Sequence, residues 1–250
     1  MEIFTAPEFT FEAPSVISRA RRVLIKPSAL YPIPYPTGTS PELLATIISG
    51  IRQVSDADII LLEGTPGGGS IYPIYKSLGY NFPRVLMLDV KDCTLVEVDN
   101  PLPKPFAVPT FWVPNVILSS DYLLTITPLK TLNGRNRLSI GNLLSLLPTT
   151  KYGGEGHNGW GTLDILGIDR VLADLYFTLP FDLGIVEARQ YFGGQEHPPQ
   201  DEQDETETWN KIFMGEPNEI DRQIADTLGL KIGYLDLIRM AKVELELNTL

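Results

Sequence analysis

The chain has 250 residues, of which 43% are hydrophobic and 20% charged, and its formal net charge at pH 7 is −11. This composition predicts a soluble globular protein that is long enough for one large α/β domain. The acidic balance argues against binding to nucleic acid or to an anionic membrane surface, because a basic face would supply that affinity.

The cysteine content and the lengths of the apolar runs exclude further classes of protein. With Cys93 as its single cysteine, the chain cannot build a disulfide framework, a zinc ribbon or an iron–sulfur cluster by itself. The N-terminal residues lack the basic and apolar regions of a signal peptide, and no apolar run approaches the roughly 18 residues of a membrane span. We therefore expect a cytoplasmic protein with no membrane association.

Five short apolar runs, each closing on a charged residue, predict buried parallel strands. They span residues 23–26, 59–63, 85–89, 123–126 and 183–187, and the charged residues are Lys26, Glu63, Asp89, Lys130 and Glu187. The carboxyl ends of such strands meet at one edge of an open sheet, where ligands bind. The pattern predicts an α/β fold with a mostly parallel sheet of about five strands, flanked by helices in Rossmann-like layers.

The segments between these runs alternate between loops and helices. Three prolines make residues 27–40 a rigid loop, and prolines also make 100–115 a stiff connection. A capped helix is predicted to start at 39–42, and further helices at about 71–78, 139–147, 163–175, 217–228 and 233–243. Residues 94–98 alternate like an edge strand or hairpin arm. We expect one domain over 1–250, with a polar, acidic insertion at 191–211.

A glycine-rich turn follows the second predicted strand. Gly67, Gly68, Gly69 and Ser70 precede a helix, so backbone amides there are accessible to an anion such as phosphate, sulfate or a carboxylate. The spacing matches neither the dinucleotide fingerprint nor the P-loop. The turn is therefore either an anion site or a tight turn that needs positive φ.

Lys26 ends the first strand, and Thr39 lies at the start of the next helix. A lysine ammonium beside free helix amides suits a carboxylate or a phosphate. The structural alternatives are that Lys26 marks only the point where the strand reaches the surface, and that Thr39 is only a helix cap. We favour a ligand-binding role for Lys26 more than for Thr39.

Lys130 follows a proline at the exit from the fourth strand, in the most basic stretch of the chain. A lysine held on a rigid exit can be desolvated and aimed at a substrate. Asn133, Arg135, Asn136 and Arg137 follow and could cradle an anion, although an ordinary solvated cluster is the commoner arrangement.

His157 lies in a glycine-rich loop at residues 151–161, whereas His197 lies within the acidic insertion and is expected to be solvated. Histidine titrates near neutrality and ligates metals, so His157 is a candidate base that we expect to approach Lys130, or it is merely exposed. Asp89, Glu63 and His157 are candidate ligands of a divalent metal, but their spacing matches no metal motif. The remaining acidic candidates are Glu187, Asp169, Asp174 and Asp221.

The order of these elements resembles the uncharacterised domain-of-unknown-function family numbered 362, which is found mainly in prokaryotes. The matching elements are Lys26-Pro27, residues 39–42, Glu63-Gly64, residues 129–131, residues 142–148, His157, residues 182–186 and residues 214–221. The chain lacks the ferredoxin-like cysteine clusters of some relatives, so no electron-transfer role is implied. The first strand–helix–strand unit is also similar to the N-terminal half of lactate racemase-like proteins, from which we infer no nickel cofactor.

Together these features favour a protein that binds a small anionic metabolite or cofactor at the carboxyl edge of its sheet, with or without catalysis. Its cofactor and oligomeric state are unknown. The alternatives are a non-catalytic binding or scaffold protein that uses the acidic insertion, and a divalent-metal-dependent hydrolase. The expected catalytic residues are Lys130, His157 and Glu63, and the expected ligand-binding residues are Lys26, Thr39, Gly67, Gly68, Gly69 and Ser70.

Overall fold

A computed structural model describes residues 1–132, 135–136, 138–153, 159–194 and 205–247 of the chain. Its strands are β1 (Glu2–Thr5), β2 (Arg22–Lys26), β3 (Asp58–Glu63), β4 (Val85–Asp89), β5 (Leu95–Asp99), β6 (Thr110–Pro114), β7 (Tyr122–Leu132), β8 (Arg135–Asn136), β9 (Leu183–Gly194) and β10 (Glu205–Gly215). Its α-helices are α1 (Pro41–Val54), α2 (Tyr72–Ser77), α3 (Asn115–Leu118), α4 (Thr149–Tyr152), α5 (Gly161–Leu166), α6 (Ile168–Thr178), α7 (Pro217–Leu228) and α8 (Gly233–Leu247). Short 3₁₀ helices lie at Ala6–Glu8, Ser15–Arg19, Val90–Asp92 and Gly141–Leu146.

The central sheet confirms the predicted fold class. Its strands lie in the order β1-β10-β9-β7-β2-β3-β4, and β8 pairs with the end of β7. The five predicted runs are β2, β3, β4, β7 and β9, and these five strands pair with one another in parallel. Strands β1 and β10 extend the sheet with antiparallel pairing. Because β3 and β7 lie on opposite sides of β2, the strand order reverses between β2 and β7, where such sheets form a ligand crevice.

Both faces of the sheet are covered, which explains the continuous apolar runs. Alternate residues of one strand enter different cores. Val23 and Ile25 belong to the apolar cluster that includes residues of α1 and α2, whereas Leu24 belongs to the cluster that includes residues of α6, α7 and α8. This alternation follows from the two-residue period of a strand. Among the described helices, none is long and apolar enough to cross a membrane.

Strand β7 is longer than predicted, which corrects the placement of Lys130. We expected the chain to leave the fourth strand at Pro128, but β7 continues to Leu132 and Lys130 lies within it. Pairing with β9 persists across a register shift between Pro128 and Lys130. A proline lacks an amide donor and is tolerated at such an irregularity, so it interrupts the ladder without ending the strand.

Other differences from the predicted elements concern helix type and hairpins. The segment expected to be a helix at 139–147 is a 3₁₀ helix over Gly141–Leu146, and all of its residues are buried. The expected helix at 163–175 is two helices separated by Gly167, whose φ of 89° breaks the first. The supposed stiff connection contains β6, which pairs with β5 in a separate hairpin. The described ends of the 191–211 segment belong to β9 and β10, whereas 195–204 lie outside the described residues.

Candidate functional site

The carboxyl edge of the sheet brings Lys26 and Glu63 together as a completely buried ion pair. Nζ of Lys26 lies 2.9 Å from Oε2 of Glu63, and both side chains have 0% exposure. The same ammonium donates to the carbonyl oxygen of Pro27 at 2.7 Å and to Oδ1 of Asn142 at 3.1 Å. All three of its protons are therefore engaged by the protein, and a ligand would reach Lys26 only by displacing one of these acceptors.

Burial and pairing act on Lys26 in opposite directions. Burial lowers the pKa of Lys26 because it penalises the ammonium, and the carboxylate of Glu63 opposes that shift. Removing two charges from water is costly, and their attraction offsets that cost only when further hydrogen bonds satisfy both groups. Here each group has those bonds, so the pair can persist in the interior.

Two residues of the 3₁₀ helix complete this network, and sequence reasoning assigned no role to either. Nδ2 of Asn142 donates to the carbonyl oxygens of Lys26 and Ile126, both at 3.2 Å, and to Oγ1 of Thr125 at 3.1 Å. Oγ of Ser145 donates to Oε1 of Glu63 at 2.5 Å. The available signal was two polar residues, three positions apart, inside an otherwise leucine-rich run.

Lys130 lies at the same edge and is nearly buried, with 4% exposure. Its ammonium donates to Oγ of Ser28 at 2.7 Å and to the carbonyl oxygen of Thr37 at 2.5 Å. It borders a cavity with room for about one water molecule. The other cavity residues are Ser28, Leu30, Thr127, Gly141, Asn142, Leu144, Ser145 and Trp160. Because Asn142 and Ser145 contact the ion pair, this cavity connects Lys130 with Lys26 and Glu63.

Thr39 is 1% exposed, and its hydroxyl is occupied within the protein. Oγ1 accepts a hydrogen bond from the amide of Ser28 at 2.8 Å and donates to the carbonyl oxygen of Ile126 at 3.0 Å. The side chain that caps α1 is Ser40, which accepts from the amide of Leu43 at 3.2 Å. Thr39 thus ties the loop after β2 to β7, and its role in ligand binding stays a prediction.

The glycine-rich turn has one position where glycine is required by the backbone. Gly68 has a φ of 67°, in the left-handed region that favours glycine. The amide of Ile71, at the start of α2, donates to Oδ2 of Asp89 at 2.8 Å. The turn borders a second cavity of about one water in size. Anion binding at Gly67, Gly69 and Ser70 stays a prediction, with Asp89 already placed at the helix start.

Glu187 occupies the start of α1 in a similar way. Its carboxylate accepts from the amide of Ser40 at 3.1 Å and from the hydroxyl of Ser40 at 2.6 Å. Arg189 pairs with the same carboxylate at 2.5 Å and stacks over the ring of Tyr35, with 4.5 Å between the guanidinium carbon and the ring centroid. Burial raises the pKa of Glu187, although Ser40 and Arg189 oppose the shift.

Another buried carboxylate fixes the segment that leads into the 3₁₀ helix. Asp221 in α7 is fully buried and accepts from the amide of Ser139 at 2.9 Å, its hydroxyl at 2.6 Å, and the amide of Ile140 at 3.0 Å. The hydroxyl of Tyr234 donates to it at 2.8 Å. Burial raises the pKa of Asp221 to about 6. These bonds attach residues 139 and 140 to α7 and α8, immediately before Asn142 and Ser145.

The remaining predicted residues are not brought into a described cluster. His157, Asn133 and Arg137 lie outside the described residues, as does His197, so the proximity of His157 to Lys130 stays a prediction. In the described part of the chain, no three His, Cys, Asp or Glu side chains are grouped so as to hold a metal ion. Asp174 accepts bonds from three amides, at residues 106–108, and so anchors the loop before β6.

A larger cavity lies at the opposite, amino edge of the sheet. It has a volume of about 450 Å³ and is bordered by the ends of β1, β9 and β10. Two of the residues around it, Glu2 and Glu12, are exposed glutamates. The larger cavity therefore lies at the amino edge of the sheet, whereas Lys26, Glu63 and Lys130 are buried at the carboxyl edge.

Comparison with solved structures identifies a distant neighbour of the same fold. The chain is similar to the lactate racemase apoprotein from Thermoanaerobacterium thermosaccharolyticum, with a TM-score of 0.55 and 10% sequence identity. The match covers 89% of this chain and 53% of that protein, so the chain spans about half of the neighbour's length. At this identity the likeness shows the fold alone. No protein-family model matches the chain, and neither does any curated protein.

Proposed function

We propose that the protein binds a small anionic metabolite at the carboxyl edge of its sheet, beside the ends of β2 and β7, and acts on it as an enzyme. The observation that carries this proposal is the nearly buried ammonium of Lys130, which borders a cavity shared with Ser28, Thr127, Asn142 and Ser145. A desolvated ammonium with neighbouring hydroxyl and amide groups suits an oxyanion.

The proposed roles follow from these contacts. Lys130 holds the negative charge of the ligand, and Ser28 and Thr127 supply hydroxyl groups beside it. Glu63 is reached from the cavity through the hydroxyl of Ser145, 2.5 Å away, so a proton can pass along this bond. His157 is the proposed second proton-transfer group. The Lys26–Glu63 pair keeps the carboxylate in place, and we propose no direct ligand contact for Lys26.

Two resemblances support this proposal. The distant structural neighbour is named for its action on lactate, which is a small carboxylate. The order of sequence elements resembles domain-of-unknown-function family 362, and we propose membership of that family on those elements.

Tryptophan fluorescence gives a direct test of this site. Trp160 is buried and lines the cavity, which must widen to admit anything larger than a water, so ligand entry should alter its emission. We expect lactate or acetate to produce a saturable change in the wild type. Lys130→Met should weaken that binding by about tenfold to a hundredfold, the loss expected for one charge-assisted hydrogen bond.

Lys76→Met is the matched control, because Lys76 is an exposed lysine on α2 and borders neither small cavity. Its affinity should equal that of the wild type. Equal affinities in folded Lys130→Met and in the wild type would refute the role of Lys130. Native mass spectrometry of the purified protein, in search of a retained small molecule, tests the proposal without a chosen ligand.

A further inference from the structure

The outer face of α8 carries three large apolar side chains that are exposed to solvent. Met240, Val243 and Leu247 are 58, 51 and 67% exposed. Because they lie three and four residues apart, they fall within roughly 60° of one another around the helix axis and form a single stripe. The buried residues of α8, which lie on the opposite side of the helix, are Tyr234, Leu235, Ile238 and Ala241.

The spacing of this α8 stripe is the one by which helices pair as coiled coils. Single exposed apolar residues are ordinary on a protein surface, but a row of them along one helix offers a contact line to another helix. If Met240 and Leu247 are a positions of the heptad, Val243 is a d position and Asp236 is the preceding d position. A second helix can reach the stripe, because the body of the protein lies on the other side of α8.

The charges beside the stripe are complementary to those of a second copy of α8. Arg239 and Glu246 each precede an a position, so both are g residues on one side of the stripe. Consider two antiparallel α8 helices, with Met240 of each copy against Val243 of the other. The g residues of the two copies then meet, so that Arg239 of each copy lies beside Glu246 of the other. The two-fold axis produces this ion pair twice in one interface.

A parallel pair of α8 helices would be less favourable. It would place Asp236 of one copy opposite Asp236 of the other, where like charges repel. In the antiparallel pair, Asp236 instead faces Leu247 at each end of the interface and can keep its bond to Arg239, which is 3.5 Å away. Glu244 and Glu246 add negative charge to this face, which disfavours an anionic membrane as the alternative partner.

We infer that α8 is a dimerisation helix, by which two copies of this chain pair in antiparallel orientation, with the α8 stripe at the centre and Arg239 beside Glu246 at the rim. One helix from each copy buries less surface than a standard stable interface, so the dimer should be weak and dependent on concentration. The inference goes beyond the proposed function and is independent of it, because α8 contributes no residue to the cavity beside Lys130.

Sedimentation velocity of the full chain over a concentration series measures this association. We expect the wild type to pass from monomer towards dimer as its concentration rises from about 1 µM to about 500 µM. Val243→Lys should weaken the dimer at least about tenfold, because it places a lysine against Met240 twice in each interface. Leu86→Lys is the matched control, since Leu86 is 55% exposed on the edge strand β4. It should dimerise like the wild type.

Charge reversal tests the antiparallel register. Arg239→Glu and Glu246→Arg should each weaken the dimer by about threefold to tenfold, because each places two pairs of like charges at the rim. Mixed in equal amounts, the two variants should associate with each other more tightly than either does alone, because both ion pairs form again with their signs exchanged. Glu244→Arg is the matched control. It changes the net charge as Glu246→Arg does, but on the other side of the stripe, so it should not weaken the dimer.

Several results would overturn the inference. A wild type that remains monomeric throughout the series would do so, and would leave the stripe to a different protein. A dimer that Val243→Lys leaves intact, or that Leu86→Lys weakens equally, would exclude α8 as the interface. Weakening by Glu244→Arg without an effect of Glu246→Arg would indicate a parallel pair, in which Arg239 lies beside Glu244.

Near-ultraviolet circular dichroism establishes that each variant is folded, as expected for changes at exposed positions. Should Val243→Lys not fold, the mixture of Arg239→Glu with Glu246→Arg decides the inference, because association restored by mixing requires the antiparallel contact. A mixture no more associated than its separate components would then overturn it.

Discussion

The carboxyl and amino edges of the central sheet combine charge and space in opposite ways. At the carboxyl edge, Lys26, Glu63 and Lys130 are buried or nearly so, and Lys130 borders a cavity that holds about one water. At the amino edge, a cavity of about 450 Å³ is bordered by the exposed side chains of Glu2 and Glu12. Buried ionisable groups are costly and cluster at functional sites, so the carboxyl edge is the better candidate despite its smaller cavity.

The largest expected effect comes from breaking the ion pair of the carboxyl edge. Glu63→Ala would leave the ammonium of Lys26 buried without its counter-charge, and would also remove the acceptor of the Ala29 and Gly64 amides. We expect the free energy of unfolding to fall by about 3–5 kcal/mol, as for other broken buried pairs. Urea denaturation followed by circular dichroism measures the change.

A double variant separates the loss of pairing from the loss of the side chain. Lys26→Met with Glu63→Leu removes both charges and keeps apolar volume, so it should recover part of the stability lost in Glu63→Ala. The recovery should be incomplete, because the amides of Ala29 and Gly64 still lack their acceptor. At the amino edge, Glu12→Ala should change stability by no more than about 0.5 kcal/mol, because the side chain is exposed. A double variant as unstable as Glu63→Ala, or a large effect of Glu12→Ala, would contradict the contrast between the edges.

Asp221 shows what a buried carboxylate does when its observed donors are all neutral. Its pKa is raised to about 6 from an ordinary value of 3.8, so between these values the folded state binds more protons than the unfolded state. The contribution of Asp221 to stability is therefore greatest below pH 4 and declines as the pH rises through 6. The decline should amount to roughly 3 kcal/mol, at about 1.4 kcal/mol for each pKa unit.

The variant Asp221→Asn cannot ionise and isolates this contribution. The difference in unfolding free energy between the wild type and Asp221→Asn should shrink by roughly 2–3 kcal/mol between pH 4 and pH 7. Urea denaturation at several pH values measures it. Taking the difference cancels the titration of the other carboxylates, which are common to both proteins. A constant difference across this range would show that Asp221 titrates near its ordinary pKa.

Local patterns in the sequence predicted the fold because each parallel strand is a short apolar run that closes on a charged residue. The features that these patterns did not predict depend on contacts with residues that are distant in the chain. Pro128 predicts that the chain leaves the fourth strand there, but β9 keeps pairing with β7 beyond it through a register shift. The apolar residues at 139–147 suggested an α-helix, but burial of every residue in Gly141–Leu146 accompanies a 3₁₀ helix instead.

The candidate site was predictable as a set of positions and not as a set of contacts. Strand ends identified Lys26 and Glu63 as neighbours at one sheet edge, which the structure brings within 2.9 Å. That their charges neutralise each other depends on the pairing of β2 with β3, and on Asn142, which lies 116 residues from Lys26 in the chain. No local pattern in the sequence contains that information. The sequence therefore predicts that Lys26 can bind a ligand, although its ammonium is paired within the protein.

The smallest predicted effect concerns the glycine-rich turn at the carboxyl edge. It tests whether glycine is needed at residue 68 for its backbone conformation or for the approach of a ligand to the turn. Gly68 has a φ of 67°, and a Cβ built there would lie 3.3 Å from Oγ1 of Thr149. Gly68→Ala should therefore cost about 1–2 kcal/mol, since an L-residue is disfavoured in the left-handed region. Gly67→Ala is the matched control, because a Cβ at Gly67 would meet nothing within 4 Å. It should be neutral, or stabilising by up to about 1 kcal/mol through a more restricted unfolded chain. Thermal denaturation distinguishes the two variants.

If Gly68→Ala is as stable as the wild type but no longer binds the anion, the turn contacts a ligand. The amides near Asp89 would then be accessible to anions in spite of that carboxylate. Loss of stability with unchanged binding would make this glycine a conformational requirement of the turn, and would leave the cavity beside Lys130 as the place where the edge admits its ligand.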